Sequence, residues 1–156
     1  MNDTTVKKSV TVRAPVAHAF AVFTQRFDLW WPRSHHISKV DMKEAILEGK
    51  EGGRWYERGV DGSECEWGKV LVWAPPQKVA LSWHLTPAWD YDADPSKASR
   101  VEVTFHDNGD GTTRVELTHS ELDRHGNDWQ KMKEGIAGDG GWSGILDTYR
   151  KSAEAS

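Results

Sequence analysis

Apolar and polar positions alternate first with a period of two. Val6, Lys8, Val10 and Val12 fall on one parity with polar residues between them, which predicts an opening strand with one buried face. Ala14-Pro15 follows, and Pro in a first helical turn forfeits only an N–H that had no intrahelical partner. Val16, Ala19, Phe20 and Phe23 then recur at helical spacing, so a short amphipathic helix is expected. Residues 28–32 end this region on the pair Trp30-Trp31.

From residue 42 the period returns to two. Strands are predicted near 42–48, 53–59, 64–73, 77–85, 99–107 and 112–120, separated by Gly52-Gly53, Asp61-Gly62, Pro75-Pro76 and Asn108-Gly109-Asp110-Gly111. Turns this short require an antiparallel meander, because parallel neighbours need a crossover of a dozen or more residues. Leu81, Trp83 and Leu85 share a face, as do Val101, Val103 and Phe105, and Val115, Leu117 and His119. Between 64 and 73 the parity conflicts: Trp67, Leu71 and Trp73 oppose Val70 and Val72, and a bulge would resolve the conflict. The one long connection, 86–99, is polar and carries Asp90, Asp92 and Asp94.

Residues 127–151 read as helix, with Trp129, Met132, Ile136, Trp142, Ile145, Leu146 and Tyr149 as its apolar stripe. Gly135, Gly138, Gly140, Gly141 and Gly144 interrupt it, and each interior glycine costs about 1 kcal/mol relative to alanine. A break or kink is expected at 138–141. The face of residues 141–151 should pack across Trp83, Val103 and Leu117, since neither element can bury its apolar side alone.

Composition narrows the functional classes. At 156 residues the chain is sized for one domain, expected over 6–151 with loose ends at 1–5 and 152–156. Twenty basic against 24 acidic residues, with no basic run, argue against nucleic acid as a partner. No apolar stretch suits a membrane span or a secretory leader, so a cytoplasmic protein is expected. The single cysteine, Cys65, cannot form an intrachain disulfide. Nine of the aromatic residues are Trp, so very large rings carry the core, and rings of that size favour a lined pocket.

The motifs are specific in their order: Ala14-Pro15, Gly52-Gly53-Arg54-Trp55, Gly68-Lys69-Val70-Leu71 before Pro75-Pro76, Leu81-Ser82-Trp83, Thr118-His119, and Gly141-Trp142 with Ile145-Leu146. This order resembles the family of proteins similar to the activator of heat shock protein 90 ATPase, in the START and polyketide-cyclase-like (SRPBCC) superfamily. The resemblance implies an α+β helix-grip fold, in which a curved antiparallel sheet wraps a long C-terminal helix, with two short helices after the first strand and a cavity between sheet and helix. The long acidic 86–99 connection and the dense glycine cluster depart from the family pattern.

The residues expected to line that cavity are Trp55, Trp67, Trp83, Val103, Phe105, Leu117, His119, Trp142, Leu146 and Tyr149. A small apolar or aromatic molecule is the expected partner, with His119 and Tyr149 as its polar contacts. Two alternatives stand beside this one. The cyclase-like relatives imply an acid–base enzyme in the same cavity, with His119, Glu57 or Tyr149 as proton carriers. The family name implies a chaperone as partner, engaged through the surface.

Other chemistry is disfavoured by residue pattern, and neither a cofactor nor a metal is expected. His35-His36 has no third ligand at zinc spacing. The triad Asp90, Asp92, Asp94 has Pro95 where a calcium loop needs Gly, and Val101 where it needs Glu. Gly138-Asp139-Gly140-Gly141 fails both nucleotide fingerprints. Cys65 stands between Glu64 and Glu66, which disfavour a thiolate, and no Gly-x-Ser-x-Gly elbow occurs.

Overall fold

The computed structural model describes residues 4–32, 35, 39–86, 90–138 and 141–155. Strand β1 (Val6–Val12) leads to helices α1 (Val16–Thr24) and α2 (Phe27–Trp30). Six strands follow: β2 (Met42–Leu47), β3 (Arg54–Gly59), β4 (Glu64–Ala74), β5 (Lys78–Trp83), β6 (Ser99–Asp107) and β7 (Thr113–Ser120). Helices α3 (Trp129–Ala137) and α4 (Trp142–Ala155) close the chain. The strands form one antiparallel sheet of order β1-β7-β6-β5-β4-β3-β2, so the six-strand meander is capped at one edge by the first strand.

Curling comes from β4, where two irregularities dissolve the parity conflict. Trp55 pairs with Gly68 while Tyr56 pairs with Glu66, and Val70 pairs with Leu81 while Val72 pairs with Ala80. Each skip adds a residue to β4, so Trp67 and Val70 both turn inward while Leu71 stays 38% exposed. At the first skip Trp55 crosses the β4 backbone to donate its indole N–H to the Ser82 carbonyl at 2.8 Å. Only glycine permits this crossing, because a Cβ on Gly68 would stand 1.8 Å from that carbonyl oxygen.

The expected break between the last two helices falls at Gly138 and Gly141; Asp139 and Gly140 lie outside the described residues. A Cβ on Gly141 would meet the Ile136 carbonyl oxygen at 2.2 Å, so close backbone approach is what the glycine supplies. The tail expected to be loose from 152 onward instead continues α4 to Ala155. Ala153 is buried, its carbonyl lies 3.0 Å from His18 Nε2, and Glu154 accepts from the Arg13 backbone N–H at 2.9 Å.

The packing of α4 differs from a helix laid directly across the sheet. Its backbone lies closest to β1, α1 and α2, and Trp142 reaches Trp83 at a ring separation of 5.7 Å. Further along, α1 intervenes: Phe23 contacts Phe105 at 5.7 Å on one side and Tyr149 at 5.1 Å on the other. Among the described residues no helix is long and apolar enough to cross a membrane.

Candidate functional site

Five indoles form a closed circuit at the end of the core beyond Phe23. Trp31 lies 5.2 Å from Trp67, Trp67 5.3 Å from Trp55, Trp55 5.6 Å from Trp83, Trp83 5.7 Å from Trp142, and Trp142 6.1 Å from Trp31. The residue after α2 therefore joins three strands and α4 in one girdle, with Phe27 packed at 6.2 Å from Trp67. Edge and tilted contacts suit the ring quadrupoles, and each pair adds about 0.5–1.5 kcal/mol beyond burial.

Two titratable side chains stand in this apolar wall with no solvent exposure. Glu57, inward on β3, accepts a hydrogen bond from Trp67 Nε1 at 3.0 Å. His119, inward on β7, accepts from Trp142 Nε1 through Nδ1 at 3.1 Å. An indole nitrogen can only donate, so Nδ1 of His119 carries no proton and Nε2 does. That Nε2–H donates to Ser99 Oγ at 2.7 Å, which sends the serine hydroxyl proton to His125 Nε2, also at 2.7 Å. One direction of donation thus runs from Trp142 through His119 and Ser99 to His125. Burial holds the His119 imidazole neutral, pushing its pKa down to about 3, with His125 reinforcing the shift. Burial and the neighbouring His84 push His125 down to about 4 against the opposing pull of Asp92.

The ten residues expected to line a cavity are all buried, but they do not form one group. Trp55, Trp67, Trp83, Trp142 and His119 meet at the girdle. Phe105 and Tyr149 are held apart by Phe23, and the Tyr149 hydroxyl, expected to orient a ligand, instead donates to the Ala19 carbonyl at 2.6 Å. Burial raises the Tyr149 pKa far above its ordinary value, which leaves it a poor proton carrier. The expected polar contact through His119 is likewise corrected, since both its ring nitrogens are taken by Trp142 and Ser99. Val103 and Leu117 are fully enclosed inward residues of β6 and β7, and Leu146 is buried on α4.

One girdle indole and two members of the hydrogen-bond chain that leaves it escaped sequence reasoning. Trp31 lies beyond the helical stripe of α1, and its direction is set by the turn after α2. Ser99 was accessible in principle, because it shares parity with Val101, Val103 and Phe105. His125 sits on a 3₁₀ turn, Leu122–His125, which has no period to read.

The remaining candidates resolve locally. Asp94 accepts from the Ser96 backbone and hydroxyl at 2.9 and 2.7 Å, so it caps the 3₁₀ turn Pro95–Lys97. Among the described residues no three His, Cys, Asp or Glu side chains are grouped to hold a metal; His36 lies outside them. The Cys65 thiol is raised chiefly by burial, then by Glu57 and Asp61, a different cause from the adjacent glutamates.

A curled antiparallel sheet gripping a C-terminal helix around an aromatic interior defines the helix-grip class of the START and polyketide-cyclase-like proteins. Within it, residues 13–148 match the model of the Activator of Hsp90 ATPase homolog 1-like proteins, and the chain belongs to that family. Among solved structures it is similar to Txn09, an anthrahydroquino-γ-pyrone synthase, with 40% identity, 94% of this chain and 95% of that chain covered, and a TM-score of 0.66. It is also similar to CalC of Micromonospora echinospora, a self-sacrificing resistance protein, with 30% identity, 98% and 96% covered, and a TM-score of 0.71. A Nitrosomonas europaea protein, 12% identical with 97% and 95% covered and a TM-score of 0.68, shares the fold. Among curated proteins none matches the chain.

Proposed function

We propose that the protein binds a planar, hydroxylated aromatic small molecule at the tryptophan girdle between sheet and α4. The observation that carries this reading is the closed circuit of Trp31, Trp67, Trp55, Trp83 and Trp142, with the buried Glu57 bonded to Trp67 and the buried His119 bonded to Trp142. Ring faces and edges recognise a flat aromatic body, and a buried carboxylate accepts a phenolic hydroxyl. The similarity to a synthase of anthrahydroquinone type supports the same ligand class.

A saturable quench of tryptophan fluorescence by alizarin, a dihydroxyanthraquinone, is the expected result, with weaker binding of anthracene, which lacks the hydroxyls. Glu57→Gln keeps the shape and an acceptor for Trp67, so it should fold and lose the preference for alizarin. Absence of saturable binding by either probe would overturn the reading.

A second reading, proton transfer on a bound ketone or phenol, is favoured by the 40% identity to a synthase. Its sign would be catalysed deuterium exchange at the acidic methylene of benzoylacetone, lost in Glu57→Gln. Exchange no faster than in buffer leaves binding alone.

A further inference from the structure

At the end of the sheet where β6 begins, the segment after β5 folds back and leaves a cleft of about 430 Å³ that reaches from the outward residues Lys69 and Leu71 to the buried Ser99. Its apolar surface includes Leu71 and Tyr91, which remain 38% and 37% exposed, beside Ala93, Pro95 and Ala98. Exposed apolar groups of this size beside a small-molecule-sized hollow are what an apolar ligand body covers.

The polar groups of the floor are already matched among themselves. His84 Nδ1 donates to the Asp92 carbonyl at 2.8 Å, so its Nε2 accepts from the Ser82 hydroxyl at 2.9 Å, and Ser82 Oγ accepts from the Lys69 N–H at 2.9 Å. Donors remain among the cations. Lys69 is held by Glu66 at 2.8 Å. Arg124 meets Glu121 at 3.3 Å, and Arg100 approaches Glu102 at 3.9 Å, beyond a hydrogen bond, while Glu102 is engaged by Lys78 at 2.6 Å. A guanidinium has five N–H donors in a planar fork, so both arginines keep donor capacity that a carboxylate can use. Among the described lining residues Lys69, Arg100 and Arg124 stand against the carboxylate of Glu121, and at the edge Glu66 holds Lys69 and accepts from the Tyr91 hydroxyl, which leaves the two arginines as the open donors.

We propose that this cleft, which meets the histidine–serine chain at Ser99 but contains none of the five girdle indoles, is a second small-molecule site and takes an organic carboxylate with an apolar body. The body lies on Leu71 and Tyr91, and the carboxylate engages the guanidinium groups of Arg100 and Arg124. The site does not depend on the function assigned to the girdle.

Naphthoate and its neutral isostere naphthamide test it, followed through the backbone amide signals of Tyr91, Ala93 and Ala98 by NMR. Naphthoate is expected to shift those signals and to bind about ten-fold more tightly than naphthamide, the factor of one charge-assisted hydrogen bond, with the preference falling as salt rises. Arg100→Gln combined with Arg124→Gln should bring the two affinities together while leaving alizarin binding unchanged. Leu71→Glu, at an exposed position, gives an independent check and should abolish naphthoate binding in a folded protein. Equal affinity for naphthoate and naphthamide, a preference that survives the double arginine substitution, or shifts confined to the girdle indole signals would overturn the proposal.

Discussion

Trp142→Phe separates the two tasks of the girdle indole, its bulk and its single hydrogen bond. Trp142 is 2% exposed and donates to His119 Nδ1 at 3.1 Å. Phenylalanine keeps an aromatic ring against Trp83 but removes the N–H, leaving a buried imidazole nitrogen without its donor. An unsatisfied buried acceptor costs about 1–3 kcal/mol, and the lost ring atoms with their residual void add roughly 1–2 kcal/mol. The sum, about 2–5 kcal/mol, corresponds to roughly 5–15 °C in Tm for a chain of this size. Thermal melts followed by circular dichroism measure the loss. Long-range nitrogen-15 NMR of the histidine rings reads the mechanism: the wild type should show His119 protonated at Nε2 and bare at Nδ1. In the variant Nδ1 loses its donor and its resonance should move. A folded variant within 2 °C of the wild type, or a wild-type His119 protonated at Nδ1, would refute the direction of the hydrogen-bond chain.

The other predictions follow from the same contacts. His119 has a folded-state pKa below its unfolded value, so its contribution is complete above about pH 6.5 and is lost as pH falls toward 3; at pH 5 the loss is about 2 kcal/mol, measurable as urea midpoints across pH. His125 acts in the same direction with a smaller effect, since it is partly exposed, and stability independent of pH between 7 and 5 would count against both. Gly68→Ala forces a methyl group into the Ser82 carbonyl and the Trp55 indole, at 1.8 and 2.6 Å, so the variant should be insoluble or lose more than about 3 kcal/mol; near-normal melting would mean the β4 irregularity is placed wrongly. Tyr149→Phe removes the hydroxyl that donates to Ala19 and should cost about 1 kcal/mol without altering alizarin affinity. A change in that affinity would return Tyr149 to the ligand site.

Much of the architecture is legible in the chain because it depends on local periodicity. Alternation in β6 and β7 placed Val101, Val103, Phe105, Val115, Leu117 and His119 on the buried face, where they are found. The break before Trp142 follows from glycine density, and the irregular strand from the clash of parities between Trp67 and Val70. Trp55, Trp83 and Trp142 were recognisable as inward residues, whereas Trp67 lay in the strand whose parity conflicted and was expected in the cavity without an assigned face. The tail was misjudged because Ala and Ser carry little hydrophobic signal, whereas the burial of Ala153 and the Arg13–Glu154 contact depend on where β1 ends.

The sequence by itself determined the parities of β5, β6 and β7, the helix break, the lack of a partner for an intrachain disulfide, and an interior built from tryptophan. Those follow from the two- and 3.6-residue repeats and from residue chemistry, which act over a few neighbours. Only the tertiary structure decided which inward rings meet. Pairing of β1 with β7 and the curl imposed by β4 bring Trp31, Trp67, Trp55, Trp83 and Trp142 into one circuit, and insertion of Phe23 takes Phe105 and Tyr149 out of it. The protonation of His119 was equally beyond the sequence. It is set by a donor 23 residues away on α4 and an acceptor 20 residues away on β6, and such partners are chosen by long-range packing.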